Sequence, residues 1–285
     1  MEVEGYDGIP EDLIQLHKTR PTQIAYLKSR RELFPPLDGF DDNLIKIQIQ
    51  GGANEVWIPN ETRIWFRIAI YREDADEFVA EADEDSRVAL INGIGSAFFK
   101  NVAVRLNNQP ITQEDNHYGF KADIENRIYT PIEEKKRLRK MGYLEDDKLF
   151  DAYGNPFHDI IPAGGGGVER ADGSVQIKQR RAWTVGHSFE VCSRIFSPLF
   201  DQDKPLMPGT IVDIDFQKNH EDLLLLVNEG DGQLRLLDFA VEAQFNTIDT
   251  EILQEILEAT TPKNPLVYPL RVSNMKSFSK GGKFV

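Results

Sequence analysis

The chain has 285 residues, with 33 Lys+Arg against 47 Asp+Glu for a formal charge of −14, and 40% of its residues are hydrophobic. That length holds one large or two ordinary domains, and the apolar fraction suffices for a packed core, which excludes a wholly disordered chain. The single cysteine excludes an intramolecular disulfide framework and a cysteine-based zinc cluster.

Residues 1–42 alternate helical and turn signals and contain Pro35-Pro36, which favours an extended segment over a continuing helix. They are read as an N-terminal arm. The start, MEVEGYDGIPEDL, is acidic where a signal peptide carries positive charge ahead of a long apolar run. The longest apolar stretch, Leu223–Val227, is far too short to span a bilayer, so the expectation is a soluble, intracellular chain without a membrane span. Two basic clusters stand out, His17–Phe34 and Glu133–Leu144. A chain this acidic repels phosphate unless its cations are gathered, so these clusters are either solvated faces or patches that touch an acidic neighbour or packaged nucleic acid, without sequence specificity.

From Asn43 the pattern turns to strands. Leu44–Gln50, LIKIQIQ, puts Ile45, Ile47 and Ile49 on one face, the period of two of a half-buried strand. Thr62–Arg72 repeats this with Ile64, Phe66, Ile68 and Ile70 opposite Arg63, Trp65, Arg67, Ala69 and Tyr71. An acidic loop, Glu73–Arg87, follows; it lacks the glycine and terminal glutamate of an EF-hand. Ala97–Ile111 reads as a strand, a turn at Asn107-Asn108 and a return, because asparagine tolerates left-handed backbone. Between Tyr118 and Leu144 the period lengthens, with Phe120, Ile124 and Ile128, then Ile132, Leu138 and Met141, predicting two helices around Thr130-Pro131. Ala152–Ser174 is loop, and its four glycines, Gly164–Gly167, lack the Lys-Ser/Thr of a phosphate loop. Strand patterns resume at Val175–Val185, His187–Phe196, Thr210–Phe216, Leu223–Val227 and Gln233–Phe245. A short helix at Ile248–Leu257 precedes a last run, LVYPLRVSNMKSF. Eight to ten strands with two helical insertions, and no sustained strand-helix alternation, predict an all-β sandwich.

Chemistry is harder to find. GxSxG and HExxH are absent, and Gly93-Ile94-Gly95-Ser96 lacks the flanking order of a nucleophile elbow. The histidines, His17, His117, His158, His187 and His220, form no short-spaced pair. Cys192 alternates with strand residues and reads as a small buried hydrophobe. Asp146-Asp147 and the Asp213/Asp215 pair could serve as paired acids, but the plainer role of Asp213 and Asp215 is the solvent face of a strand. No catalytic, cofactor-binding or metal-ligating residue is predicted, and no cofactor.

Several segments, taken in order, resemble the double-jelly-roll major capsid proteins of Polinton/Maverick elements and adintoviruses. They are VWIPNETRIWFRIAI (Val56–Ile70), IGSAFFKNVAVRLNNQPI (Ile94–Ile111), HYGFKADIENRIY (His117–Tyr129) and KKRLRKMGYLEDD (Lys135–Asp147). SFEVCSRIFSPLFDQDKPLMPGTIVDIDF (Ser188–Phe216) and EILQEILEATTPKNPLVYPLRVSNMKSFSKG (Glu251–Gly281) complete the series. The family's hairpin turn is of the Leu-Asn-Gly type, and here Asn108 stands in place of that glycine. The resemblance implies a jelly-roll β-sandwich with helical insertions and an N-terminal arm: 1–42 arm, 43–259 jelly roll with an insertion near 118–144, and 260–285 a linker and first strand of a second jelly roll. It further implies a non-enzymatic virion protein that self-assembles as a homo-oligomer, a trimer in the family, alongside other capsid proteins. Family members carry two full jelly rolls, so this chain is expected to be a fragment or a shorter relative. The competing expectation is a carbohydrate- or ligand-binding sandwich in which Trp57, Trp65 and Trp183 form a stacking platform.

Overall fold

The computed structural model describes residues 26–40, 43–71, 88–112, 116–129, 139–143, 180, 182–184, 186–227, 232–260 and 265–270. Among them ten strands form: β1 Tyr26–Phe34, β2 Leu44–Gln50, β3 Glu55–Tyr71, β4 Val88–Leu90, β5 Phe99–Leu106, β6 Gln109–Pro110, β7 Phe189–Arg194, β8 Ile211–Lys218, β9 Leu225–Val227 and β10 Gln233–Ile248. Three helices accompany them: α1 Ile94–Ala97, α2 Tyr118–Tyr129 and α3 Thr250–Ala259.

The pairing is nested. β1 pairs with β10, β2 with β8, β3 with β7 and β5 with β6, all antiparallel, as if one long hairpin had been folded over on itself. Cross-pairing of β10 with β3 and of β8 with β5 then yields two four-stranded sheets, β1-β10-β3-β7 and β2-β8-β5-β6, while β4 and β9 form a small separate pair. This strand order is the jelly roll.

The alternating sequences explain why the sheets close on each other. Ile45, Ile47 and Ile49 of β2, Val212, Ile214 and Phe216 of β8, and Ile64, Phe66 and Ile68 of β3 are all at most 2% exposed. On β10 the set is Phe239, Val241, Ala243 and Phe245. Between the sheets sits an aromatic cluster. The Phe99 ring lies 5.8 Å from Phe66 and 6.0 Å from Phe239 of the facing sheet, and 5.1 Å from Phe216 of its own.

β3 begins seven residues before the predicted Thr62. Its ladder with β10 jumps from the Arg63↔Glu242 pair to the Ile58↔Gln244 pair, so that residues around Pro59 loop out. Proline lacks the N–H a ladder requires, which breaks the pattern a sequence shows while the strand continues beyond it. The β5–β6 turn is where the sequence places it: Asn107 and Asn108 have φ of 47° and 65°, the pair of positive values a two-residue hairpin of the primed type demands. Asn107 Oδ1 also accepts from the Ile211 backbone N–H at 2.9 Å, pinning the hairpin to β8.

Three expectations need correction. β1 lies inside the segment assigned to the arm; eight register pairs with β10 place it in the sheet, and its mostly exposed residues hid the alternation that marks a buried strand. The first of the two insertion helices, α2, forms with the opposite roll. Phe120, Ile124 and Ile128 are 69%, 44% and 66% exposed, and Tyr118, Ala122 and Asn126 are buried in their place. The cause is Tyr118, whose ring packs against Phe99 and Phe196 while its hydroxyl accepts from the Phe196 N–H at 3.1 Å. Residue 180 is helical and 182–184 form a turn, so a strand over Val175–Val185 is not seen where that stretch is described.

The remaining elements follow the sequence. α3 is capped by Asp249, whose carboxylate accepts from the Glu251 N–H at 2.9 Å, and buries Leu253 beside Val56 and Ile248. Residues 265–270 form no strand; Tyr268 and Leu270 pack on the core, and Tyr268 donates to the Pro205 carbonyl at 3.3 Å. The stretch 1–25, the acidic loop 73–87, the Gly164–Gly167 run and residues 130–138 lie outside the described residues.

Candidate functional site

Catalytic candidates from the sequence do not converge. Ser96 is 4% exposed and its hydroxyl donates to the Gly93 carbonyl at 3.1 Å, so it is a helix-end residue in the core, with Gly93 at φ 72° starting α1. Asp213 and Asp215 share the outer face of β8, but each is engaged across strands: Asp213 accepts from Gln48 at 2.8 Å, and Asp215 pairs with Arg105 at 2.9 Å. His220 is exposed beside Asp222 at 3.2 Å, His187 is exposed, and His117 sits just before α2. His17, His158, Asp146 and Asp147 lie outside the described residues. Among the described residues no three His, Cys, Asp or Glu side chains gather as a metal site.

The tryptophans do not share a platform. Trp57 is 4% exposed, donates to the Thr62 hydroxyl at 3.0 Å and meets Phe200 edge-on. Trp183 stacks on Phe189 at 5.1 Å with the rings nearly parallel. Trp65 lines an open cleft.

That cleft, about 620 Å³, lies on the outer face of the β1-β10-β3-β7 sheet. Alternation builds its floor: where Ile64, Phe66, Val191 and Ser193 point inward, the intervening Arg63, Trp65, Cys192 and Arg194 face out. The β3 bulge supplies one wall with Asn60 and Glu61, and the other comes from Asn126 of α2 with Lys140 of a single 3-10 turn at Arg139–Met141. Cys192 is therefore half-buried against this cleft and not a core residue; burial raises its thiol pKa. β7 alternates as its sequence predicts, and which of its faces meets the core is set by its neighbours in the sheet.

The charges in the cleft divide into used and unused. Arg31 bridges Glu242 at 3.1 Å and Glu61 at 3.5 Å. Arg63 donates to the carbonyls of Asn60 and Thr62 at 2.7 and 2.8 Å. Arg194 instead lies over the Phe196 ring at 4.4 Å, and neither it nor Lys140 has a carboxylate within 4 Å among the described residues. Three buried polar atoms of the lining have no partner among the described residues: the Trp65 indole N–H, and the side-chain oxygens of Asn60 and Asn126. Asn60 is oriented by its amide N–H, which donates to Asp203 at 3.3 Å, and Asn126 is 2% exposed. Burial raises the pKa of the Cys192 thiol, and the lining offers donors and acceptors for binding. Lys140 falls in the basic cluster Glu133–Leu144, but no sequence motif marks Asn60, Asn126 or Arg194; what unites them is a bulge, a helix roll and a strand face.

No protein-family model matches the chain, and no curated protein does. Solved structures do. A chain of the Sputnik virophage, determined by cryo-EM, superimposes with a TM-score of 0.54 at 16% identity, covering 88% of this chain and 53% of that one. The Faustovirus major capsid protein gives 0.49 at 10% identity over 87% and 59% of the two chains, and the mavirus major capsid protein 0.41 at 12% over 88% and 54%. The chain thus spans about half the length of each. The likeness to the Sputnik chain agrees with the strand order and establishes a shared jelly-roll fold.

Proposed function

We propose that the chain is a structural capsid protein of a virus or virus-like mobile element of the Polinton/Maverick type. The observation that carries the reading is the nested strand order, two four-stranded sheets in jelly-roll sequence, in a chain that superimposes on a component of the Sputnik virophage. The segments of sequence resemblance, Val56 to Gly281, support it independently. In this reading the protein is not an enzyme. Its sheets give rigidity, its loops and insertions make lateral contacts, and it associates with itself, as a trimer, and with other capsid proteins in the virion after assembly inside the host cell. Residues 260–285 lead toward a second jelly roll, a proposal that rests on the sequence resemblance alone. Contact with nucleic acid is confined to the basic clusters 17–34 and 133–144. A sugar-stacking sandwich is not favoured, because Trp57 is buried and Trp183 is covered by Phe189.

The test is size-exclusion chromatography with light scattering, followed by negative-stain microscopy, across protein concentration and salt. Concentration-dependent oligomers or shells are expected. A chain that remains monomeric under all conditions refutes the reading.

A further inference from the structure

We propose that the outer-sheet cleft is the receptor for an acidic segment of a second copy of this chain, residues 73–87; the proposal rests on the self-assembly reading above. The cleft presents two cations without carboxylate partners among the described residues, Arg194 and Lys140, beside the unpartnered Trp65 N–H and the unpartnered oxygens of Asn60 and Asn126. A bare anion satisfies the donors and leaves both asparagine oxygens orphaned, whereas a polypeptide brings backbone N–H groups for the oxygens and carboxylates for the cations. Met141 and Phe200, both largely buried, add apolar atoms to the lining of the cleft. Its volume accommodates a short stretch of side chains.

Charge complementarity selects the segment. Glu73–Arg87 carries eight carboxylates and one arginine in fifteen residues and includes an apolar pair, Phe78-Val79. It offers carboxylates to Arg194 and Lys140 and an apolar contact to Met141 and Phe200; of the lining's own carboxylates, Glu61 and Glu242 are held by Arg31, and Asp201 forms no ion pair among the described residues.

Reach selects the second copy. Ile70 and Val88 both abut Gly232, so the two ends of the intervening sequence are fixed side by side at the far end of β3. Trp65 lies six residues back along that strand, about 20 Å away, and Asn60 lies farther still. Sixteen residues running out and back between adjacent anchors reach at most about 27 Å. A chain's own segment uses most of that reach to arrive at the near rim of its cleft and stops short of Asn60 at the far end, so it cannot lie along the whole cleft. A neighbouring copy has no such limit.

A fluorescein-labelled peptide of residues 72–87, titrated with the full chain and read by anisotropy, tests this. Saturable binding that weakens with added salt is expected. Lys140→Glu and Arg194→Glu should each weaken binding at least tenfold, and Trp65→Phe should weaken it several-fold. Lys46→Glu, on the opposite sheet, should leave it unchanged. Lys140 is exposed and its substitution spares the core, so this variant stands even if Arg194→Glu, which loses the Phe196 contact, folds poorly. Absence of saturable binding, or equal affinities for the Lys140→Glu and Lys46→Glu chains, overturns the proposal. Oligomers that form although the peptide does not bind overturn the cleft contact and leave the capsid reading intact. Peptide binding by a chain that stays monomeric at every concentration overturns the self-assembly reading and the second-copy occupant together.

Discussion

Replacement of Phe99 by alanine probes the contact between the two sheets at its centre. The ring is fully buried and faces Phe66 and Phe239 across the sandwich, with Phe98 at 5.3 Å and Tyr118 at 6.5 Å completing its surroundings. Removing it withdraws roughly 100 Å³ of side chain, and at about 24 cal/mol per Å³ an unrelaxed cavity costs about 2.4 kcal/mol beyond about 2 kcal/mol of lost transfer energy. The neighbouring rings belong to both sheets and to α2, so no single element can move in to fill the space, and the expected loss is about 4 kcal/mol. Phe99→Leu keeps most of the volume and should cost about 1–1.5 kcal/mol. Urea unfolding followed by tryptophan fluorescence measures both. With a slope of about 3 kcal/mol per M, the alanine variant's midpoint falls by about 1.3 M. A loss under about 1 kcal/mol with an unchanged slope refutes the placement of this ring between the sheets.

At the β5–β6 turn, Asn108→Val should cost about 1–2 kcal/mol, because a β-branched residue resists φ of 65°, while Asn108→Gly should stay within about 0.5 kcal/mol in the same urea assay. Gly142→Ala should cost about 2–4 kcal/mol, since φ is +66° and the new methyl would lie 2.4 Å from Ile94 Cγ2; a neutral result in thermal unfolding contradicts the packing of that turn on α1. Two hydrogen bonds from Arg30, each 2.7 Å, hold the Glu55 carboxyl down to about 2. A depressed carboxyl stabilises above its unfolded pKa and loses that contribution as pH falls from about 4.5 to about 2, so wild type should lose about 1 kcal/mol, discounted for the pair's partial exposure, relative to Glu55→Gln over that window. Urea midpoints of both proteins at pH 6, 4 and 2 check the sign. Cys192, half-buried with a raised pKa, should react with a disulfide reagent at pH 8 at least about tenfold more slowly in the native chain than in urea.

Most of the sandwich is legible in the sequence where a strand buries one face. β2 and β8 carry uninterrupted alternation, and the Asn107-Asn108 turn announces itself because few residue types tolerate its backbone. What escapes is set by partners remote in sequence. β1 is an exposed edge whose assignment depends on β10, and the roll of α2 depends on a single tyrosine docking among phenylalanines from other strands, against an apolar stripe that points the other way. The cleft is less legible still. Trp65 is conspicuous as a residue, but the gathering of its unpartnered indole N–H and the unpartnered oxygens of Asn60 and Asn126 around one cleft arises only where a bulge at Pro59, a helix and an edge strand meet.

The nesting of the strands also sets an order of events in time. Tyr26 of the first strand pairs with Ile248 of the last, and β10 is the neighbour of both β1 and β3, so the first sheet has no centre until β10 exists. At about 5–20 residues per second, roughly 10–45 s separate the synthesis of those two strands. During that interval β1 has no partner and β3 lacks its neighbour on one side, while β2 and β3 gain β8 and β7 earlier, so the first strand's edge is the one left open longest to pairing with a neighbour's strands.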